Sequence, residues 1–192
     1  MQKIISLFKR DYEGARRVYD EVVPGAEWVC AGEGRATVKW DGTCCLVQDG
    51  KLYKRYDAKH GKQPPADFVP AQEPDAKTGH WPGWVAVKED NPGDRWHLEA
   101  WNEHLSNTGG QPLYDGTYEL VGPKVQGNPN GWDRHYLILH GGETLTSVPT
   151  TFDALRAWLE ANRYEGVVWH HRDGRMVKIK RKDFGLPWPV KP

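Results

Sequence analysis

ATVKWDGTCCLVQDGKLYKRY, residues 36–56, holds three alternating runs separated by two Asp-Gly pairs. An Asp-Gly pair between alternating runs is the strongest short-range hairpin signal. The stretch predicts strands over Ala36–Trp40, Thr43–Gln48 and Lys51–Tyr56, with turns at Asp41-Gly42 and Asp49-Gly50. Further along the chain, Gly116–Gly122 and His135–His140 carry strand patterns. Gly166–His170 and Arg175–Arg181 flank a third Asp-Gly turn at Asp173-Gly174.

Helical signals are fewer. Asp94–Leu105 places Leu98, Trp101 and Leu105 at helical spacing, with Asp94 as its cap. Phe152–Asn162 places Phe152, Leu155 and Leu159 on one stripe behind a capping Thr151. Asp11–Asp20 is a weaker third. His60–Pro82, with its prolines, and Ser106–Pro112 read as irregular. Strands outnumber helices, which predicts an antiparallel α+β fold. The length of 192 residues suits a single domain over 1–192, with 1–27 a less certain N-terminal extension.

Composition narrows the function. The formal net charge is zero, so any attraction for nucleic acid must be local. Two basic runs qualify: Lys51, Lys54, Arg55, Lys59 and Lys62, then Arg172, Arg175, Lys178, Lys180, Arg181 and Lys182. Each is either a binding patch or a solvated face. Three cysteines without CxxC spacing argue against a disulfide framework or a zinc motif. No apolar run suits a signal peptide or a membrane span. A soluble, intracellular, cytoplasmic monomer is the expectation, with no membrane partner.

Four segments carry chemistry. In Lys39-Trp40-Asp41-Gly42, alternation puts Lys39 on one strand face with Thr37. That lysine is a nucleophile or an edge-strand lysine before a turn. Lys178 and Lys180 share a face opposite Val177 and Ile179. Two like charges there suit a polyanion such as a triphosphate, or else face solvent. Glu165 directly precedes the apolar Gly166–Trp169 run, as a metal ligand or as punctuation between elements. Glu119 sits inside an apolar strand and needs a partner, which a ribose hydroxyl pair or a buried arginine would supply.

The order KxDG, strand glutamate, EGVV, KxK resembles the covalent nucleotidyltransferase superfamily of ATP-dependent polynucleotide ligases and capping enzymes. The closer resemblance is to a small single-domain RNA ligase family represented in animals. It rests on KWDGTCCLV (39–47), WHLEA (96–100), YELVGPKVQGNP (118–129), EGVVWHH (165–171) and MVKIKRKDFGLPWP (176–189).

That resemblance implies an antiparallel-sheet, ATP-grasp-like adenylation domain with no OB-fold domain. It implies ATP as co-substrate, Mg2+ or Mn2+ as cofactor, and RNA 5′-phosphate and 3′-hydroxyl ends as partners. By position, Lys39 matches the lysine that carries AMP. Arg55 matches a ribose- or phosphate-contacting residue, Glu119 the ribose-binding carboxylate, Glu165 the metal-dependent carboxylate, and Lys178 with Lys180 the phosphate-gripping pair. Larger ligases stack an aromatic on adenine; here Tyr136 and His140 share a face in the corresponding stretch. The competing readings are a non-catalytic RNA-end-binding module, a DNA ligase, and a GTP-using capping enzyme.

Overall fold

The computed structural model describes residues 4–59, 61–76 and 78–190. Of the expected domain over 1–192, residues 1–3, His60, Lys77 and 191–192 lie outside the described residues, as does the start of the irregular stretch read from His60.

In chain order the elements begin with β1 (Ile5–Ser6), β2 (Phe8–Arg10), β3 (Val18–Val22), α1 (Glu27–Cys30) and β4 (Arg35–Lys39). Then come β5 (Thr43–Gln48), β6 (Lys51–Ala58), β7 (Val69–Pro70), β8 (Trp81–Ala86), α2 (Arg95–Asn107), β9 (Gly116–Val121) and β10 (Tyr136–Leu139). The last are α3 (Phe152–Ala161), β11 (Gly166–His170) and β12 (Met176–Lys180). The fold is α+β and mostly antiparallel, with few helices. Among the described residues no helix is long and apolar enough to cross a membrane.

The chain forms two compact units. One is Asp41–His140; the other joins the described residues through Trp40 to those from Gly141 onward. In the second unit, a four-stranded sheet runs β1-β12-β11-β4, with β1 parallel to β12 and the other pairs antiparallel. Val38, Val167 and Ile179 lie across one face and are buried, as are Trp169 and Val177. Leu155 and Leu159 of α3 join that core and are fully buried, so the predicted stripe holds. Burial of each such side chain contributes about 1.5–3 kcal/mol. Thr151 occupies the N-cap position with extended backbone, but its side chain makes no capping bond.

The helix read over Asp11–Asp20 is replaced by a turn and strand β3. The Asp11 carboxylate accepts the backbone N–H groups of Glu13, Gly14 and Ala15, which holds a tight turn and diverts the chain from a helix. Leu7 and Phe8, from the stretch read as an uncertain extension, are buried in this core.

The Asp41–His140 unit carries an antiparallel sheet ordered β10-β9-β5-β6-β8-β7. Asp49 and Gly50 both adopt positive φ, at 51° and 69°, and close β5 onto β6 as a two-residue hairpin. Cys45, Val47, Tyr118 and Leu120 bury one sheet face, in a cluster with Ala100 of α2. The buried line of α2 runs through His97 and Ala100, while Leu98 and Leu105 of the predicted stripe are half-buried. Asp94 stands at the helix start without capping it. Its buried carboxylate accepts Lys54 Nζ, the Lys88 N–H and Asn91 Nδ2 instead. Helix α2 runs to Asn107, so the irregular stretch begins after it.

Two further sequence expectations fail in this region. The stretch read as irregular through Pro82 contains β7 and the start of β8. Pro82 is tolerated because its carbonyl faces β7, accepting the Ala71 N–H. Its missing N–H faces the same side, so no bond to β6 is lost. The hairpin expected at Asp41-Gly42 does not form either. β4 pairs with β11, whereas β5 pairs with β6 and β9. Gly42 lacks the positive φ of a two-residue hairpin turn; the chain crosses there from one sheet to the other.

Candidate functional site

The second unit gathers three lysines and a carboxylate on one sheet face. Gly166 is in register with Lys39 on β4 and with Lys180 on β12. Two residues further on, Val168 is in register with Thr37 and Lys178. Alternation puts Lys39, Lys178 and Lys180 on the face opposite the core, where Val177 and Ile179 are fully buried. Gly166 matters because a Cβ there would stand 2.1 Å from the Ile179 carbonyl oxygen and 3.0 Å from Lys180 Cα. A side chain at 166 would push β11 and β12 apart.

Lys39 Nζ lies 2.6 Å from Glu165 Oε2 and 3.4 Å from the Trp40 carbonyl oxygen. The Glu165 side chain is only 9% exposed and that of Lys39 22%, so the pair is shielded but reachable. The Glu165 backbone is fixed as well, because its carbonyl accepts the Arg181 N–H at 2.8 Å. Burial pushes the Lys178 amine below its ordinary range, and the charges of Lys39 and Lys180 push it the same way. The three amines face the carboxylates of Glu165 and Asp183, and Asp183 is already paired with Arg10, so a surplus of positive charge remains that suits a polyanion. Along the same face Thr37, buried, donates to the Val168 carbonyl at 3.1 Å and lies 3.0 Å from His170 Nε2. Arg35, His170 and Arg172 line a hollow of about 710 Å³ beyond it.

In the Asp41–His140 unit, Glu119 stands on the sheet face opposite that unit's core. Gly42 N–H donates to its Oε1 at 3.0 Å, and His140 Nε2 lies 2.8 Å from its Oε2. Gly42 must be glycine here: a Cβ would stand 2.2 Å from the Leu120 carbonyl oxygen and 2.8 Å from Glu119 Cγ. Arg55 lies on the same face by alternation. Its Nε donates to Asp57 at 3.2 Å, and its guanidinium lies 5.3 Å from the Trp84 ring centre.

The predicted residues thus fall into two groups. Lys39, Glu165, Lys178 and Lys180 come together in one unit; Arg55 and Glu119 share a sheet face in the other. Each basic run loses a member to pairing within the fold. Lys54 turns to the opposite face from Arg55 and pairs with buried Asp94. Arg181, 3% exposed, donates to the carbonyls of Leu159, Asn162 and Pro187. Tyr136 donates to Asp133, so of the two aromatic residues sharing its face only His140 meets Glu119. Thr37, Cys44 and His140 are the site-lining residues that motif reading passed over or left unassigned; their strand alternation was visible, but their partners were not.

Magnesium takes hard oxygen ligands and keeps much of its water, so one protein carboxylate is enough to anchor it beside phosphates. Glu165 offers such a carboxylate among amines suited to phosphate.

A sequence profile of the RNA ligase 1 family matches residues 104–192. RNA ligase 1 of Pongo abelii is 31% identical over 222 aligned positions, covering 80% of this chain and 68% of that protein. RNA ligase 1 of Mus musculus is 30% identical over 223 positions, and that of Rattus norvegicus 29%, each covering 81% of this chain and 68% of the relative.

Proposed function

Because this chain belongs to the RNA ligase 1 family, we propose that it is an ATP-dependent RNA ligase working through AMP carried on Lys39. It joins a 5′-phosphate to a 3′-hydroxyl end. The observation that carries the reading is Lys39 against Glu165 on the face that also holds Lys178 and Lys180.

The reaction has three transfers. Lys39 Nζ attacks the α-phosphorus of ATP, forming a phosphoramide bond as pyrophosphate leaves. The RNA 5′-phosphate then takes the AMP and frees Lys39. Last, the 3′-hydroxyl attacks that activated phosphate and AMP departs. An amine attacks only when neutral, and Glu165 Oε2 is the nearest carboxylate to hold the proton that Nζ sheds. Lys178 and Lys180 balance charge on the departing pyrophosphate. Glu119 takes the ribose hydroxyls, oriented by the Gly42 N–H and His140, and Arg55 contacts the ribose or the donor phosphate. A magnesium or manganese ion held through Glu165 would supply further neutralisation of phosphate charge.

Incubation with ATP labelled in the α-phosphate, followed by denaturing electrophoresis, tests the reading. Label should stay on the chain and vanish in Lys39→Ala. It should be competed by ATP and not by GTP, and chase onto 5′-phosphorylated RNA in preference to DNA. Label persisting in Lys39→Ala would sink the assignment. A chain that binds RNA ends and never takes label would be a non-catalytic module.

A further inference from the structure

Cys44, Glu119 and His140 converge in the Asp41–His140 unit, and nothing in the ligase reaction uses the thiol. Cys44 and Glu119 are in register on β5 and β9. His140 lies just past β10, its N–H bound to the Thr117 carbonyl at 3.0 Å, so the ladder continues through it. Alternation puts all three side chains on one sheet face, while the neighbouring Cys45 turns into the apolar core and is fully buried. One ligand atom from each of the three residues lies within 4.8 Å of the others.

His140 presents one ring nitrogen to the cluster. Its Nε2 meets the Glu119 carboxylate, yet its Nδ1 is sealed from water with no hydrogen-bond partner among the described residues. In a neutral imidazole that donates from Nε2, Nδ1 is a bare lone pair. A metal ion among the three side chains would take Nε2, the nitrogen that faces Glu119, with the ring proton carried on Nδ1.

We propose that Cys44, Glu119 and His140 form a binding site for a zinc-class divalent ion. The donor set is one thiolate, one imidazole and one carboxylate. Borderline-soft zinc accepts this combination, whereas magnesium selects oxygen alone. Thiolate and carboxylate together neutralise the ion's two charges, and the thiol proton is released to solvent on binding. Ligand atoms around tetrahedral zinc stand roughly 3.5 Å apart, given bond lengths of about 2.0–2.3 Å. Small side-chain rotations close the site. Three protein ligands leave a fourth position for water. On the reading that Glu119 holds the ATP ribose, the ion competes with that role, so zinc inhibits adenylate formation.

Cobalt(II) is the probe for the site itself. Titration of the full chain should reach one ion per chain and show a thiolate-to-cobalt charge-transfer band, displaced by zinc. Cys44→Ser should lose the band and weaken zinc binding by more than the roughly tenfold that even outer-shell changes cause. His140→Asn should weaken binding while keeping the band, and Cys30→Ser should change neither. No band at stoichiometric cobalt, or a band that survives in Cys44→Ser, overturns the proposal. Zinc inhibition of ATP labelling should be relieved in Cys44→Ser. If zinc binds with the thiolate signature and labelling is unaffected, the metal site stands and the ribose role of Glu119 falls.

Discussion

Lys39 Nζ and Glu165 Oε2 are 2.6 Å apart, although 126 residues separate them in the chain. The contact exists because β4 and β11 are neighbours, with Lys39 in register with the residue that follows Glu165. Lys178 and Lys180 on β12 complete a charged face whose reverse side is the hydrophobic core. A sheet fixes such spacings more firmly than loops would.

Glu165→Gln keeps the shape of the side chain and removes its charge. Lys39 then loses its ion-pair partner, and the proposed proton acceptor is gone. Single-turnover adenylate formation should slow by about one to two decades, the rate equivalent of one charge-assisted bond. Lys39 is partly exposed and can turn to water, so the melting temperature should move little. A large loss of thermal stability would instead mark the pair as structural.

Gly166→Ala tests how tightly the face is built. The added Cβ would meet the Ile179 carbonyl oxygen and Lys180 Cα, both backbone atoms that cannot rotate away. Overpacking of this kind costs about 1–3 kcal/mol. The melting temperature should fall by roughly 2–12 °C for a chain of this size. Adenylate formation should fall as well, since the spacing between Lys39 and Lys180 is set across this residue. An unchanged melting temperature would show that the ladder can open without loss.

Local alternation was legible in the sequence, and partnership across the chain was not. Strand period two puts Lys178 and Lys180 on one face, and that period is visible in five residues. The family resemblance was legible in ordered motifs and agrees with the RNA ligase 1 relatives. The same dipeptide, however, had two outcomes. Asp49-Gly50 is a hairpin turn, while Asp41-Gly42 leads between sheets, because β4 and β5 have better partners elsewhere. Gly42 is needed for close approach to Leu120 rather than for a turn. Asp11 opens a stretch with helical pattern, yet its carboxylate holds three backbone N–H groups that only the folded chain brings to it. The thiol and imidazole beside Glu119 required the pairing of β5, β9 and β10, which no local pattern encodes.

Lys178 ties the proposed grip on phosphate to the stability of the fold. Its folded pKa is lowered from 10.5, chiefly by burial and then by Lys39 and Lys180. Between the lowered value and 10.5 the unfolded chain holds more protons than the folded one. Stability from this group therefore rises with pH across that window and is lost as pH falls through it. Lys178→Met should raise the melting temperature at neutral pH, with the gain shrinking as pH approaches 10.5. The same variant should slow adenylate formation by about one to two decades and spare sealing of a pre-adenylated RNA strand. Equal loss in both steps would argue against a role on the pyrophosphate.

His97 should make the fold sensitive to acid. It is 8% exposed in α2, and neither ring nitrogen has a hydrogen-bond partner among the described residues. Burial lowers its pKa from 6.5; Asp94 opposes the shift and Lys54 reinforces it. The folded state thus binds fewer protons than the unfolded chain just below pH 6.5, and stability from this group is lost as pH falls through the lowered value. His97→Leu removes the titrating ring and fills the site with apolar atoms of similar bulk. Carboxylates titrate in acid too, so the informative quantity is the melting-temperature difference between parent and variant at each pH. That difference should be small at pH 7.5 and grow in favour of His97→Leu as pH falls below 6.5. A difference that stays constant from pH 7.5 to pH 5 would mean that His97 does not titrate against folding, and that the buried ring is only a packing element.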